Sequence, residues 1–276
     1  MEAPQLPVSS SKPPEFDPEQ EQLFREVLTL LNESGVPYVV SGAFALRVHT
    51  GICRDTKDLD VFLPPEGVEA AMKFLQQRGF ECEVADPVWL AKAHRGDFFV
   101  DLITGMSTGT VMVDRTWVER GTSSEIFGVP VKMLGPEELI ASKLFVTRRE
   151  RFDGADIAHV IYGTHGKLDW DRLYQLVGEH WRLLFWHLVL YQYAYPAHVD
   201  FVPQEVWRDL LGRFREEVEH PDPRAEFRGS LIDPLMFAID VDEWALPDLN
   251  TRYRKAREPR LREFCEAPKS ELPKTA

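Results

Sequence analysis

The sequence of 276 residues has few cysteines, no long apolar run and a deficit of positive charge. Cys53, Cys82 and Cys265 lie far apart and form no C-x-x-C pair, which argues against a disulfide framework and a cysteine-based zinc site. The most apolar stretch, residues 183–190, is much shorter than a membrane span. The first residues are polar and proline-rich, without the apolar core of a signal peptide. These absences predict a cytoplasmic protein with no membrane partner.

The shortage of basic residues bears on possible partners. There are 45 Asp and Glu residues against 32 Lys and Arg residues, giving a formal net charge of -13. Binding along an extended nucleic acid relies on Lys and Arg to neutralise phosphates, so such a partner is not expected. The short basic segment 148–151 still leaves an RNA end open as a partner. The P-loop and Rossmann glycine motifs are also missing from the sequence.

One glycine motif points to a different chemistry but has the wrong context. Residues 105–109 read Gly-Met-Ser-Thr-Gly, which fits the G-x-S-x-G pattern of a nucleophilic serine. That motif requires a helix directly after the serine, whereas residues 110–113 are typical of a strand. A serine hydrolase is therefore not expected, and the segment is interpreted as a glycine-rich turn.

The order of apolar patterns predicts the fold class and the domain organisation. Residues 17–134 alternate between helical and strand patterns, whereas residues 135–265 are helical in period, beginning with a long helix from Pro136 to about Arg148. Residues 1–16 and 266–276 are predicted to be flexible tails. We therefore expect an α+β protein with a small mixed sheet flanked by helices, followed by an α-helical C-terminal half.

A strand followed by a small-residue turn provides a candidate phosphate site. The apolar strand ending at Val40 is followed by Ser41 and Gly42, and a helix is predicted from about Ala43 to Val48. The N–H groups at a helix N-terminus bind phosphate oxygens. Ser41 and Gly42 are small enough to let a phosphate approach the backbone.

Three acidic residues follow in apolar strand patterns. Asp58 and Asp60 are two residues apart in an extended segment, so their side chains lie on the same face of a sheet. Asp101 lies inside the apolar strand 98–103, where a charge requires a partner or a function. If the two strands are neighbours, the acids converge beside the turn. Mg²⁺ is the natural cation for such a group, and the layout suits two-metal nucleotidyl transfer.

These motifs resemble the DNA polymerase β-like nucleotidyltransferase superfamily. Its pattern of a hydrophobic residue, Gly, Gly or Ser, a spacer and Asp-hydrophobe-Asp appears here as Val40-Ser41-Gly42 and Asp58-Leu59-Asp60. Ser41 stands where the first glycine is usual, and the spacer of 15 residues is long. The sequence segment 54–60 is similar to a motif of bacterial nucleotidyltransferases of the abortive-infection toxin (AbiEii) type.

A second group of residues resembles motifs of the same relatives. Lys143 on the helix after Pro136, and Arg151-x-Asp153-x-x-Asp156, match their helix-borne lysine and Arg-x-Asp-x-x-Asp motifs. The match implies that Lys143 contacts a triphosphate oxygen and that Asp153 and Asp156 orient Lys143 or an arginine. The candidate nucleotide-binding residues are Ser41, Gly42, Lys57, Lys143, Arg151, Asp153 and Asp156.

The resemblance implies Mg²⁺-dependent transfer of a nucleoside monophosphate from an NTP to an acceptor hydroxyl, with release of pyrophosphate. Asp58, Asp60 and Asp101 are the candidate catalytic and metal residues, with two Mg²⁺ ions expected and Mn²⁺ as a substitute. The acceptor is open between an RNA end, a protein and a small molecule, such as an antibiotic, and a role in toxin–antitoxin systems or phage defence is implied. The alternative is a non-catalytic regulatory protein that binds a nucleotide or a partner on the same fold.

Overall fold

The computed structural model describes residues 15–54 and 56–257 and has a seven-stranded mixed sheet at its centre. The strands of the sheet are β1 (Val39–Val40), β2 (Leu59–Phe62), β3 (Glu81–Asp86), β4 (Leu90–Arg95), β5 (Phe98–Ile103), β6 (Thr122–Ile126) and β7 (Val129–Met133). They lie in the order β3-β4-β5-β2-β1-β7-β6. Strands β1 and β7 are parallel, as are β2 and β5, and the remaining pairs are antiparallel.

Helices flank the sheet and make up most of the chain after it. The helices are α1 (Pro18–Ser34), α2 (Gly42–Thr50), α3 (Val68–Gln76), α4 (Arg115–Glu119), α5 (Pro136–Lys143), α6 (Gly154–Gly163), α7 (Trp170–Val177), α8 (Trp181–Ala194), α9 (Gln204–Glu219), α10 (Gly229–Ile232), α11 (Ala238–Asp242) and α12 (Leu249–Arg257). Within the described ranges, none of them is both long and apolar enough to cross a membrane. The predicted α+β class, with its mixed sheet and helical C-terminal half, is confirmed.

The two faces of the sheet pack against different helices. On one face, Leu59 and Val61 of β2 are buried with the apolar side chains of α1 and α3. Because side chains alternate along a strand, Asp60 and Phe62 point to the other face. Phe62 is buried there with residues of α5, α6 and α8. The alternation in β2 thus directs Asp60 toward the C-terminal helices.

The apolar core continues from the sheet into the C-terminal half. Phe62 belongs to the same buried cluster as Leu139, Ile157 and Leu184. The division into domains at residues 17–134 and 135–265 stays a prediction. The predicted tails lie outside the described residues, apart from residues 15 and 16 of the first. Phe16 stacks on Phe44, with their ring centroids 5.8 Å apart.

The helix that the sequence predicts from Pro136 to about Arg148 is shorter in the structure. It ends at Lys143, and the chain then forms a hairpin of β8 (Thr147–Arg148) and β9 (Arg151–Phe152). Two physical reasons account for this end. Val146 and Thr147 are β-branched and favour a strand, and the N–H of Asp153 donates to the Val146 carbonyl over 3.0 Å.

Candidate active site

Strand register brings the three acidic side chains together. Strands β2 and β5 pair in parallel with Asp60 directly opposite Asp101. Asp58 immediately precedes β2, and its Oδ1 accepts a hydrogen bond of 2.8 Å from the Thr56 hydroxyl. One carboxylate oxygen from each of the three aspartates lies within 4.8 Å of the others. The pairing of β2 with β5, which the sequence left conditional, therefore produces the expected convergence.

Burial and mutual repulsion act together on these carboxyl groups. Burial, together with the neighbouring charges of Asp58 and Asp101, raises the pKa of Asp60 to about 7. Burial also raises the pKa of Asp101, whereas the ammonium group of Lys92 acts in the opposite direction. A divalent cation relieves such repulsion, and carboxylate oxygens are the ligands that Mg²⁺ prefers. The donor set therefore fits a magnesium site.

The Ser41–Gly42 turn is packed against Asp60. The N–H of Ser41 donates to the Asp60 carbonyl over 2.9 Å. Gly42 has a φ of 59°, and a Cβ atom there would lie 2.0 Å from Oδ2 of Asp60. The turn therefore needs glycine at position 42 for two reasons, its left-handed backbone and the close approach of the carboxylate.

The same turn presents polar groups to the cavity. Ser41 is the N-cap of α2, so the first N–H groups of that helix lack intrahelical partners. Within the part of the chain that the structure describes, the Ser41 hydroxyl makes no hydrogen bond, and it lines the cavity. The φ of Ser41 is -121°, a value that any residue adopts, so serine in place of the usual glycine causes no strain. The turn is suited to binding phosphate.

A cavity of about 610 Å³ joins the acids, the turn and a group of cations. Lys143 and Arg151 line it, as expected from the sequence, and Arg54 and Arg148 line it as well. Lys57, in contrast, is exposed and does not line the cavity. Its carbonyl instead accepts a hydrogen bond from Gln20 Nε2 over 2.8 Å.

Two aspartates hold Lys143 in place. Its Nζ lies 2.8 Å from Oδ2 of Asp153 and 2.8 Å from Oδ2 of Asp156. Arg54 also pairs with Asp156, and Arg151 Nε lies 3.3 Å from Oδ1 of Asp153. Burial would raise the pKa of Asp153, but Lys143 and Arg151 hold it below its usual range. This cluster has three cations against two carboxylates, and the charge of Lys143 acts on Asp60.

Arg54 and Lys92 were not identified from the sequence as site residues. Arg148, from the basic segment 148–151, donates from Nη2 to the Ser107 hydroxyl over 3.0 Å, which brings the glycine-rich turn to the cavity. Lys92 Nζ lies 2.6 Å from Oδ1 of Asp101. Arg54 is the first residue of the segment 54–60 that resembles AbiEii-type nucleotidyltransferases, and this resemblance was the signal that could have identified it. Lys92 had no local motif, because its contact depends on the pairing of β4 with β5.

The raised pKa of Asp60 leads to a prediction about stability. The folded chain binds this proton more tightly than the unfolded chain, so the associated stability is present below the unfolded pKa of 3.8 and is lost as the pH rises to about 7. Asparagine does not ionise, so Asp60→Asn should not lose stability in this way as the pH rises. In EDTA at about pH 8, we expect the variant to melt roughly 3–6 °C above the wild type. The difference should shrink at lower pH, and a variant that melts below the wild type at pH 8 would contradict the assignment.

Comparison with curated protein sequences finds no significant match. Among solved structures, the chain is similar to the antibiotic-resistance factor ANT(2'')-Ia, with 18% identity, 65% of this chain and 100% of that chain covered, and a TM-score of 0.43. It is similar to an antigenic nucleotidyltransferase-like protein from Paracoccidioides brasiliensis, with 15% identity, coverage of 67% and 93%, and a TM-score of 0.40. It is also similar to the lincomycin-bound lincosamide antibiotic adenylyltransferase LnuA, with 14% identity, coverage of 51% and 95%, and a TM-score of 0.35.

A family model covers the segment that carries the site. It matches residues 20–180, a range that includes the turn, the three acids and the cluster around Lys143. The resemblance to nucleotidyltransferases is thereby confirmed, while the nearer relation to AbiEii-type proteins stays a prediction. The matched range is more than half of the chain, and the protein belongs to the family described as "Nucleotidyl transferase of unknown function (DUF2204)".

Proposed function

We propose that the protein transfers a nucleoside monophosphate from an NTP to an acceptor hydroxyl with the help of Mg²⁺. The observation that carries this proposal is that three carboxylates and the Ser41–Gly42 turn line one cavity. In the reaction, the acceptor oxygen bonds to the α-phosphorus, and the bond from that phosphorus to the oxygen bridging to the β-phosphate breaks. Pyrophosphate leaves, and the hydroxyl proton passes to Asp101.

The cationic side of the cavity binds the triphosphate. The Ser41 hydroxyl and the N–H groups at the start of α2 donate to phosphate oxygens. Lys143 supplies a fixed positive charge, because Asp153 and Asp156 hold its ammonium group. Arg151 lines the cavity with a mostly exposed side chain, which pairs with Asp153, and adds a second positive charge for the phosphates. These groups hold the pyrophosphate as it leaves.

The acidic side of the cavity carries the chemistry. Asp58 and Asp60 would hold Mg²⁺, for which Mn²⁺ is a substitute, and the cation would neutralise charge on the reacting phosphate. Asp101 lies beside them on β5 and accepts the proton of the acceptor hydroxyl. Its raised pKa, caused mainly by burial, makes it a stronger base than a surface carboxylate.

The remaining cavity lining is available to the acceptor. Trp89, Met106 and Phe145 give this part an apolar surface, and Ser107 and Arg148 add polar groups. An RNA end, a protein or a small molecule remain candidate acceptors, and the setting of a toxin–antitoxin system or phage defence is part of the proposal. The net charge of -13 speaks against an extended nucleic acid.

The test is transfer of label from NTPs carrying ³²P at the α-position. Each NTP is incubated with Mg²⁺ and separate RNA, protein and small-molecule fractions of a cell extract. We expect label in one fraction and an equivalent release of pyrophosphate, both lost in Asp58→Ala/Asp60→Ala. Transfer of γ-label to the acceptor, or transfer unchanged in the double variant, would contradict the proposal. Nucleotide binding without turnover in any fraction would instead support the non-catalytic alternative.

Substitutions of two neighbouring arginines distinguish a direct contact with phosphate from an effect of the overall surface charge. Arg151 lines the cavity, whereas Arg149 is exposed and does not. Loss of a charge-assisted hydrogen bond costs about 1.5–3 kcal/mol, so Arg151→Ala should raise the KM for NTP roughly 10- to 100-fold. Arg149→Ala is the control and should leave KM unchanged. If both substitutions raised the KM for NTP equally, Arg151 would contribute only to the overall electrostatic potential and would not contact the phosphates.

A further inference from the structure

Lys92 stands in a fixed position beside the acids. Strands β4 and β5 pair in antiparallel register with Lys92 opposite Asp101. The Nζ atom lies 2.6 Å from Oδ1 of Asp101, and the two side chains are 21% and 13% exposed. The ammonium group also lies 3.9 Å from the ring centroid of Phe99. The register also places Glu83 of β3 opposite Lys92, but the Glu83 carboxylate pairs with His94, and Lys92 pairs with Asp101.

Lys92 approaches Asp101 from outside the cavity. Asp58, Asp60 and Asp101 all line the cavity, but Lys92 does not. Its contact is with Oδ1, and among the described residues no hydrogen bond to Oδ2 of Asp101 is found. Lys92 therefore neutralises this carboxylate without filling the space in which a substrate would lie.

Lys92 places a positive charge at one member of the acidic group. Its ammonium forms an ion pair with Asp101, whereas no ion pair with Asp58 or Asp60 is found among the described residues. Lys143 and Arg151 act on Asp60 from the other side of the cavity. A second ion at Asp101 would lie near a permanent positive charge in a partly buried setting, where like charges repel strongly.

We propose that Lys92 takes the place of the second metal ion. The proposal rests on the proposed function and revises the expectation of two Mg²⁺ ions. One cation is held by Asp58 and Asp60, and Lys92 supplies the positive charge at Asp101. Lys92 acts through Asp101 and is a positioning residue: it fixes the orientation of this carboxylate toward the acceptor hydroxyl.

Electron paramagnetic resonance of bound Mn²⁺ tests the number of ions directly. The protein is loaded with Mn²⁺ and each of the four α,β-methylene nucleoside triphosphates in turn. Two ions in such a site lie about 3.5–4 Å apart and couple their spins, whereas a single ion gives an isolated hyperfine spectrum. We expect an isolated ion in the wild type and a coupled pair in Lys92→Met. Lys92→Arg keeps the charge and should retain the single ion, as should the control Lys73→Met on the exposed face of α3.

Each result has a distinct meaning. A coupled pair in the wild type would overturn the proposal, even if Lys92→Met failed to fold. A single ion in both the wild type and a folded Lys92→Met variant would overturn the role of Lys92. If no Mn²⁺ bound, or if Asp58→Asn did not weaken its binding, the metal site of the proposed function would be contradicted, and this inference with it.

Discussion

Asp60→Asn is expected to reduce nucleotidyl transfer by about 10³-fold or more. Asparagine has the same shape but no charge, so the Ser41–Gly42 turn keeps its packing while the cation loses a ligand. The cation contributes several kcal/mol to the transition state, and each 1.36 kcal/mol corresponds to tenfold in rate. Transfer of α-label at saturating NTP and Mg²⁺ measures the effect. An inactive variant that is more stable than the wild type in EDTA excludes unfolding as the cause.

A neighbouring carboxylate provides the matched control. Asp97 is exposed in the turn between β4 and β5, away from the cavity lining. Asp97→Asn removes one negative charge from the same part of the sheet and should leave the rate within about twofold. If Asp60→Asn kept more than about a tenth of the wild-type rate, Asp60 would not hold the catalytic cation.

Gly42→Ala is expected to reduce activity by roughly 100-fold and to lower stability by about 1–3 kcal/mol. The added Cβ atom would lie 2.0 Å from Oδ2 of Asp60, so the carboxylate or the turn must move. The φ of 59° adds a backbone penalty that is independent of this contact. Label transfer and thermal unfolding together measure the two effects.

Gly51→Ala is the control that distinguishes the cost of a left-handed backbone from the effect of the contact with Asp60. It ends the same helix, α2, with a φ of 73°, and nothing within 4 Å would meet an added Cβ atom. Gly51→Ala should lower stability by about 1–2 kcal/mol and leave activity nearly unchanged. If the two alanine variants lost activity equally, the close approach of Gly42 to Asp60 would have no catalytic importance.

Local sequence patterns predicted the parts of the site that lie on one element or its immediate neighbour. The strand ending at Val40, the Ser41–Gly42 turn and the start of α2 are adjacent in sequence, so propensity and residue size were sufficient. Asp58 and Asp60 follow the strand period, and Asp101 was conspicuous as a charge in an apolar strand. Only the pairing of β2 with β5 had to be assumed.

Non-local pairing explains what the sequence did not predict. Strand β4 reads Leu-Ala-Lys-Ala-His-Arg, which has no β-branched residue and favours a helix as much as a strand. Its partner β3 lies at the edge of the sheet and is largely exposed. The contact of Lys92 with Asp101 depends on this sheet register, so local periodicity gave no indication of it. The hairpin of β8 and β9 was not predicted, because the helical period of apolar residues continues past Lys143 into residues 144–146.

The most direct test of the central claim is a crystal structure with an α,β-methylene nucleoside triphosphate and Mg²⁺. We expect a cation bound by Asp58 and Asp60 and in contact with the α-phosphate. We also expect the β- and γ-phosphates to lie between the Ser41–Gly42 turn and Lys143. A triphosphate bound away from the turn, or a cation that contacts neither Asp58 nor Asp60, would contradict the assignment of this cavity as the nucleotidyl-transfer site.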